Sequence, residues 1–160
     1  SKGGFTLLEI LIVLAIIGVL ATIVVVAVGS LPKKARDTKR QAVISSLGRI
    51  LSQGCYLPNA GAGKYDLAEI FAEWQANNSQ YTKYITEVPQ DPKSGSAEET
   101  NYKYIVTADK HCVIYANLEN AEAVVDLLDL TEPTPASGVG ILQAVDKGWN
   151  GSNKYYQYSR

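Results

Sequence analysis

The feature that most constrains this chain is an apolar run: between Ile10 and Val28 no residue carries a charge. Wound as a helix at about 1.5 Å per residue, such a run nearly crosses the ~30 Å hydrocarbon core of a bilayer. A single carboxylate, Glu9, stands at its edge. In the plain reading the run is a signal anchor and Glu9 belongs to its polar flank. Yet Phe5, Leu7 and Leu8 continue the apolar character on the other side of Glu9. An ionisable group inside such a segment costs about 2.5–3.5 kcal/mol at mid-bilayer and less near the edge. Glu9 is therefore a candidate functional residue that needs a partner.

The chain of 160 residues suits one modest domain once the apolar segment is set aside. Its formal net charge of −1 hides an uneven distribution. Before Leu31 only Lys2 and Glu9 are charged, whereas Lys33, Lys34, Arg36, Lys39, Arg40 and Arg49 follow against Asp37 alone. Acids predominate from there on, so the chain reads as apolar stem, basic neck and acidic head. The neck is either a solvated helix face or a collar against anionic lipid head groups and acidic neighbouring heads. Cys55 and Cys112 are the only cysteines and form no CxxC motif, which argues against a zinc site or redox pair. With the head outside the cytoplasm, one Cys55–Cys112 disulfide closing a long loop is expected; two buried free thiols are the alternative.

Helical periodicity continues beyond the apolar run. Val43, Leu47, Ile50, Leu51 and Cys55 share one face, with Arg36, Lys39, Arg40, Ser45 and Arg49 opposite. One long helix from about Leu7 to Gly54 is predicted, stopped by Gly54, Pro58 and the "NAGAG" that follows. Inside it, Pro32 leaves the Val28 carbonyl without its donor and Gly29 loosens the same turn, marking Gly29–Pro32 as a hinge, either kinked or melted; a straight helix with Pro32 absorbed in a gentle bend is the alternative. "YDLAEIFAEWQANN" spaces Leu67, Ile70, Phe71 and Trp74 as a second helix with Asp66 near its N-cap. "NYKYIVT" and "HCVIYAN" read as an antiparallel hairpin about "ADK". "LENAEAVVDLLDL" fits a helix or a covered strand, "TEPTPASGVG" a loop, and "KYYQYSR" a last strand or an ordered tail. The fold class is α+β, with a long N-terminal helix on a small antiparallel sheet.

Enzymatic signatures do not emerge. No phosphate-cradling GxxxxGK[ST] occurs. His111 adjoins Cys112 in a strand-like run, where neighbours point to opposite faces and cannot form a nucleophile pair. The acids lack the spacing of a calcium-binding helix–loop–helix motif. No catalytic residue, metal ligand or cofactor is expected.

"GGFTLLEILIVLAIIGVLA" closely resembles the class III signal of type IV pilins and type II secretion pseudopilins. The resemblance is strong over about Gly3–Leu51; "VPQDP…NYKY" (Val88–Tyr104) is more weakly similar to the heads of major pilins and pseudopilins. It implies that a prepilin peptidase cuts between Gly4 and Phe5 and that the new N-terminal Phe5 is N-methylated. Residues 1–4 would then be residual leader, 5–31 the stem or transmembrane helix, and 32–160 the head with the amphipathic half of the helix. The implied function is a structural subunit that polymerises helically into a type IV pilus. Its partners would be identical subunits, the prepilin peptidase, the pilus assembly machinery and, before assembly, the inner membrane; no specific nucleic-acid ligand is expected. A pseudopilin of a secretion or competence apparatus is the alternative, and a membrane-anchored enzyme or binding domain a third reading. The resemblance supplies Glu9 with a partner, the terminal ammonium of a neighbour's Phe5, which would set axial register; its own Phe5 amine is within reach too. It places the N-terminus inside and the head outside, against simple positive-inside counting of Lys33–Arg40. The family's usual stem proline is missing: position 26 is Val, and the first proline is Pro32.

Overall fold

A computed structural model describes residues 3–77 and 85–160, leaving the side chains of residues 20–31 undescribed. Helix α1 spans Leu7–Leu51 with Pro32 inside it. It ends before Gly54, whose N–H closes the terminal turn on the Leu51 carbonyl at 2.9 Å. The chain divides into two compact units, Ser1–Ala35 and Arg36–Arg160. In the first, Phe5, Leu7, Leu8, Ile10, Leu11 and Leu14 expose their apolar side chains. Among the described residues no helix is long and apolar enough to cross a membrane. The span read at Ile10–Val28 extends into the undescribed side chains, as does Gly29 of the expected hinge.

The second unit is an α+β head. After α1 come β1 (Gly63–Asp66), α2 (Leu67–Asn77), β2 (Tyr102–Val106), β3 (Cys112–Asn117), β4 (Val139–Gln143) and β5 (Lys154–Ser159). The strands form one antiparallel sheet in the order β1-β2-β3-β5-β4. The expected hairpin is β2–β3, and "KYYQYSR" becomes β5, inserted between β3 and β4. Asp66 caps α2 as expected: its Oδ1 accepts the Ala68 N–H at 2.9 Å, and Glu69 Oε2 accepts the Asp66 N–H at 2.7 Å.

Alternation along the strands decides which side chains meet the helices. Tyr102, Tyr104, Val106, Cys112, Ile114 and Ala116 join Ile44, Leu47 and Leu51 of α1 and Leu67, Ile70, Phe71 and Trp74 of α2 in one core. Every residue of β3 is buried, so the sheet's other face is covered too. The cover is the segment between β3 and β4, which corrects the sequence reading: "LENAEAVVDLLDL" forms neither helix nor strand. Gln157, buried on that outer face, pins the segment by accepting the Thr134 N–H and donating to the Ser137 hydroxyl and the Gly138 carbonyl, each at 3.0 Å. A segment held this way needs no local helical or strand pairing to stay ordered.

Candidate functional site

The start of α1 is built by two residues, Thr6 and Glu9. Thr6 precedes the helix, and Glu9 lies in its first turn. Glu9 Oε2 accepts the Thr6 N–H at 2.8 Å and the Thr6 hydroxyl at 2.9 Å; the Glu9 N–H donates to Thr6 Oγ1 at 3.3 Å. This is a reciprocal capping box, in which a Thr and a Glu three residues on satisfy amides that the first helical turn leaves without partners. The signal is local in the sequence: "TLLE" sets Thr and Glu at capping-box spacing, a partner for Glu9 that the sequence reading did not include. Glu9 thus has a partner within the subunit, and it is Thr6. Phe5, 84% exposed, stands beside it with Leu7 and Leu8, so the carboxylate sits on a local hydrogen-bonded cap surrounded by uncovered apolar side chains.

The head contains a second ionic construction, centred on Arg40. Its guanidinium is fully buried. Nε and Nη2 donate to Asp91 Oδ2 and Oδ1 at 2.7 and 2.9 Å, while Nη1 donates to Asp37 at 2.7 Å and Glu119 at 2.9 Å. Arg36 grips the same Glu119 with two bonds of 2.6 and 2.7 Å. Asp37 accepts the N–H groups of Glu119 and Asn120, and Asp91 accepts those of Lys93 and Ser94 and the Asn150 side-chain amide. Lys93 Nζ lies 3.6 Å from Glu119, so three cations face three carboxylates. The clamp ties α1 to the loop before β2, the end of β3 and the turn before β5.

Electrostatics follow from this geometry. Burial alone would raise the Asp91 carboxyl, but hydrogen bonds from Arg40, the Lys93 and Ser94 amides and Asn150 outweigh it and hold it down at about 2. Glu119 is also held at about 2, first by Arg36 and then, against its own desolvation, by Arg40. Desolvation opposes the Arg40 charge, and its carboxylate partners more than restore it, raising its pKa.

Two sequence expectations change here. Arg36 and Arg40 do not form a solvated or lipid-facing collar, because the fold turns Arg40 inward and spends both on internal carboxylates. Lys33, Lys34 and Lys39 remain exposed. Ser45, placed on the polar face, shares a 2.8 Å hydrogen bond with Tyr156. The cysteines are joined in the expected disulfide: Cys55, just past α1, bridges to Cys112 at the start of β3, with Cα atoms 5.7 Å apart. His111 is exposed, and its backbone closes the β2–β3 turn against Thr107. Among the described residues no group of His, Cys, Asp or Glu could hold a metal ion.

Residues 1–30 match the family model of the prokaryotic N-terminal methylation motif. The match supports a class III signal of the type IV pilin and pseudopilin kind, on the segment that carries Gly4, Phe5, Thr6 and Glu9. No curated protein and no solved structure matches the chain.

Proposed function

We propose that this chain is a structural subunit that polymerises helically into a type IV pilus. A prepilin peptidase cuts between Gly4 and Phe5, Phe5 is N-methylated, and the subunit passes from the cytoplasmic membrane to a cell-surface filament. The observation that carries the reading is the methylation motif over residues 1–30. It is supported by the uncovered apolar surface of Phe5, Leu7, Ile10, Leu11 and Leu14, which lipid or neighbouring stems must cover.

In the unassembled subunit Glu9 caps its own helix through Thr6. In the filament, a neighbour's Phe5 ammonium lies within the same shell and converts the cap into an intersubunit ion pair that sets register. The stem around Gly29 and Pro32 acts as the hinge, where an orphaned carbonyl and a glycine weaken the helix. The same motif occurs in pseudopilins of secretion or competence machines. Long surface filaments on cells distinguish the first reading from short periplasmic ones.

Glu9→Ala is expected to leave a membrane-inserted monomer and to abolish or strongly reduce filaments in sheared surface material. Mass spectrometry of wild-type filaments should find methylated Phe5 at the N-terminus. Normal filament yield and register in Glu9→Ala would overturn the register role of Glu9. An absence of wild-type filaments would instead move the chain to the pseudopilin reading.

A further inference from the structure

The connection between β4 and β5 carries the sequence's one Asn-Gly pair, Asn150-Gly151. Asparagine followed by glycine is a dipeptide prone to convert itself, because glycine brings no Cβ to shield the chain and leaves its nitrogen free to fold back. A base takes the proton of the Gly151 amide, and that nitrogen attacks Cγ of Asn150. The Cγ–Nδ2 bond breaks, ammonia leaves with a proton from water, and a cyclic succinimide remains. Water then opens the ring to aspartate or isoaspartate. On balance water is taken up, ammonia is released and nothing is oxidised or reduced.

The fold requires both residues of the pair. Gly151 stands at φ 91°, a left-handed conformation that suits glycine. It closes its turn by donating its N–H to the Gly148 carbonyl at 3.1 Å. Asn150 is 5% exposed and spends its side chain on internal bonds. Nδ2 donates to Asp91 Oδ2 and to the Asn117 carbonyl, each at 2.8 Å, and Oδ1 accepts the Ser94 hydroxyl at 3.0 Å. Its backbone N–H donates to Asn117 Oδ1 at 2.6 Å. Asn117, fully buried, reaches on to the Ser152 and Lys154 carbonyls at 2.9 and 3.0 Å. A reactive pair that the fold cannot do without has to be silenced by the fold itself.

The same bonds oppose each step of the reaction. A carbonyl holds the Gly151 proton, and burial keeps base and water from it. The Asn150 amide is pinned at both ends, so its Cγ is not free to turn toward the Gly151 nitrogen. Nδ2, the leaving group, lies against the Asp91 carboxylate, whose charge opposes the negative charge that builds on Oδ1 during attack. The product does not fit the place it came from. Aspartate sets a carboxylate oxygen where Nδ2 was, facing Asp91 and the Asn117 carbonyl with no proton to share. Isoaspartate adds a carbon to the backbone of a turn held on both sides by Asn117. We propose that Asn150-Gly151 is a self-modification site gated by folding: the closed head silences it, and an opened head converts it to a carboxylate that opposes reclosure. The site belongs entirely to the head and does not depend on how subunits assemble.

To test it, the full chain in detergent, folded with its disulfide intact, is incubated in mildly alkaline buffer beside a sample unfolded in guanidinium chloride with reductant. Peptide mapping by mass spectrometry follows aspartate and isoaspartate at position 150 over time. Conversion in the folded chain should be about a hundredfold slower or more, since it waits for the rare opened state. Ser94→Ala frees Oδ1 and leaves the Asp91 and Asn117 bonds in place. It should speed conversion of the folded chain about threefold or more, with the unfolded rate unchanged. Asn150→Asp should unfold at a lower urea midpoint than Asn150→Ala, because the carboxylate adds repulsion to the lost bonds. Similar conversion rates in the folded and unfolded wild type would overturn the proposal. So would a Ser94→Ala chain that converts at the wild-type rate, or an Asn150→Asp head as stable as Asn150→Ala.

Discussion

Arg40 shows how far a residue's role can depart from its place in a charge run. Beside Lys39 it reads as one more solvated cation, yet the fold buries it against Asp37, Asp91 and Glu119. Buried ion pairs add little net stability over a well-packed apolar substitute, but breaking one leaves the opposite charge uncompensated. Arg40→Met should therefore destabilise the head by about 3–5 kcal/mol, measured by urea unfolding of the full chain with the disulfide intact. A loss under about 1 kcal/mol would mean that the carboxylates relax into water. Arg36→Ala should cost less, since its side chain is 32% exposed and Arg40 still holds Glu119. Thr6 makes the complementary point: a residue with no conspicuous chemistry supplies two of the polar contacts around the one charge of the helix start.

Among the elements, α1 depends on a small residue at its contact with the sheet. Gly48 is buried within the helix, where glycine costs about 1 kcal/mol relative to alanine. A Cβ at that position overlaps the Tyr158 ring, so the absent side chain is what lets helix and β5 approach. Gly48→Ala should accordingly destabilise the head by about 1–3 kcal/mol through overpacking, despite its better helix propensity. A thermal melt checks this, and a rise in melting temperature would contradict it. At the sheet's margin, β4 is an edge strand with its free side closed: the Asp126 and Leu127 N–H groups bond to the Ile141 carbonyl, and Asp126 accepts the Ile141 N–H. The irregular segment before β4 thus blunts an edge that could otherwise pair with another chain.

For the whole molecule, the disulfide and the clamp reinforce the same joint between α1 and the sheet. Cys55 and Cys112 are 57 residues apart, and reducing their bond should cost about 2–4 kcal/mol by releasing that loop in the unfolded chain. Urea midpoints with and without reductant measure it; coincident midpoints would argue against a structural role. The clamp adds a pH dependence. Asp91 and Glu119 are held at about 2 when folded, below the ordinary carboxylate range near 4. Between those values the unfolded chain binds protons that the folded chain does not, so acid favours unfolding. Their contribution should be full above about pH 5 and lost as the pH falls towards 2. Unfolding free energies across this range should decline, with a shallower slope in Asp91→Asn. A flat wild-type profile would rule out the clamp as the acid-sensitive element.

What the sequence determined by itself was whatever local periodicity and short motifs encode. The apolar run, the i, i+3, i+4 faces of α1 and α2, the Asp66 cap, the β2–β3 alternation and the class III signal are all readable within a few turns or strand residues. "TLLE" is equally local, since a capping box needs only a Thr and a Glu three residues apart. Tertiary structure alone decided the rest. The strand β1 is four residues long and carries too little pattern to identify. The segment before β4 takes its shape from Gln157, which lies on a distant strand. Arg40, Asp91 and Glu119 are brought together from sequence separations of 51 and 79. The physical reason is that a charge's free energy depends on its desolvation and on the partners that fold around it. Neither exists until the chain has closed.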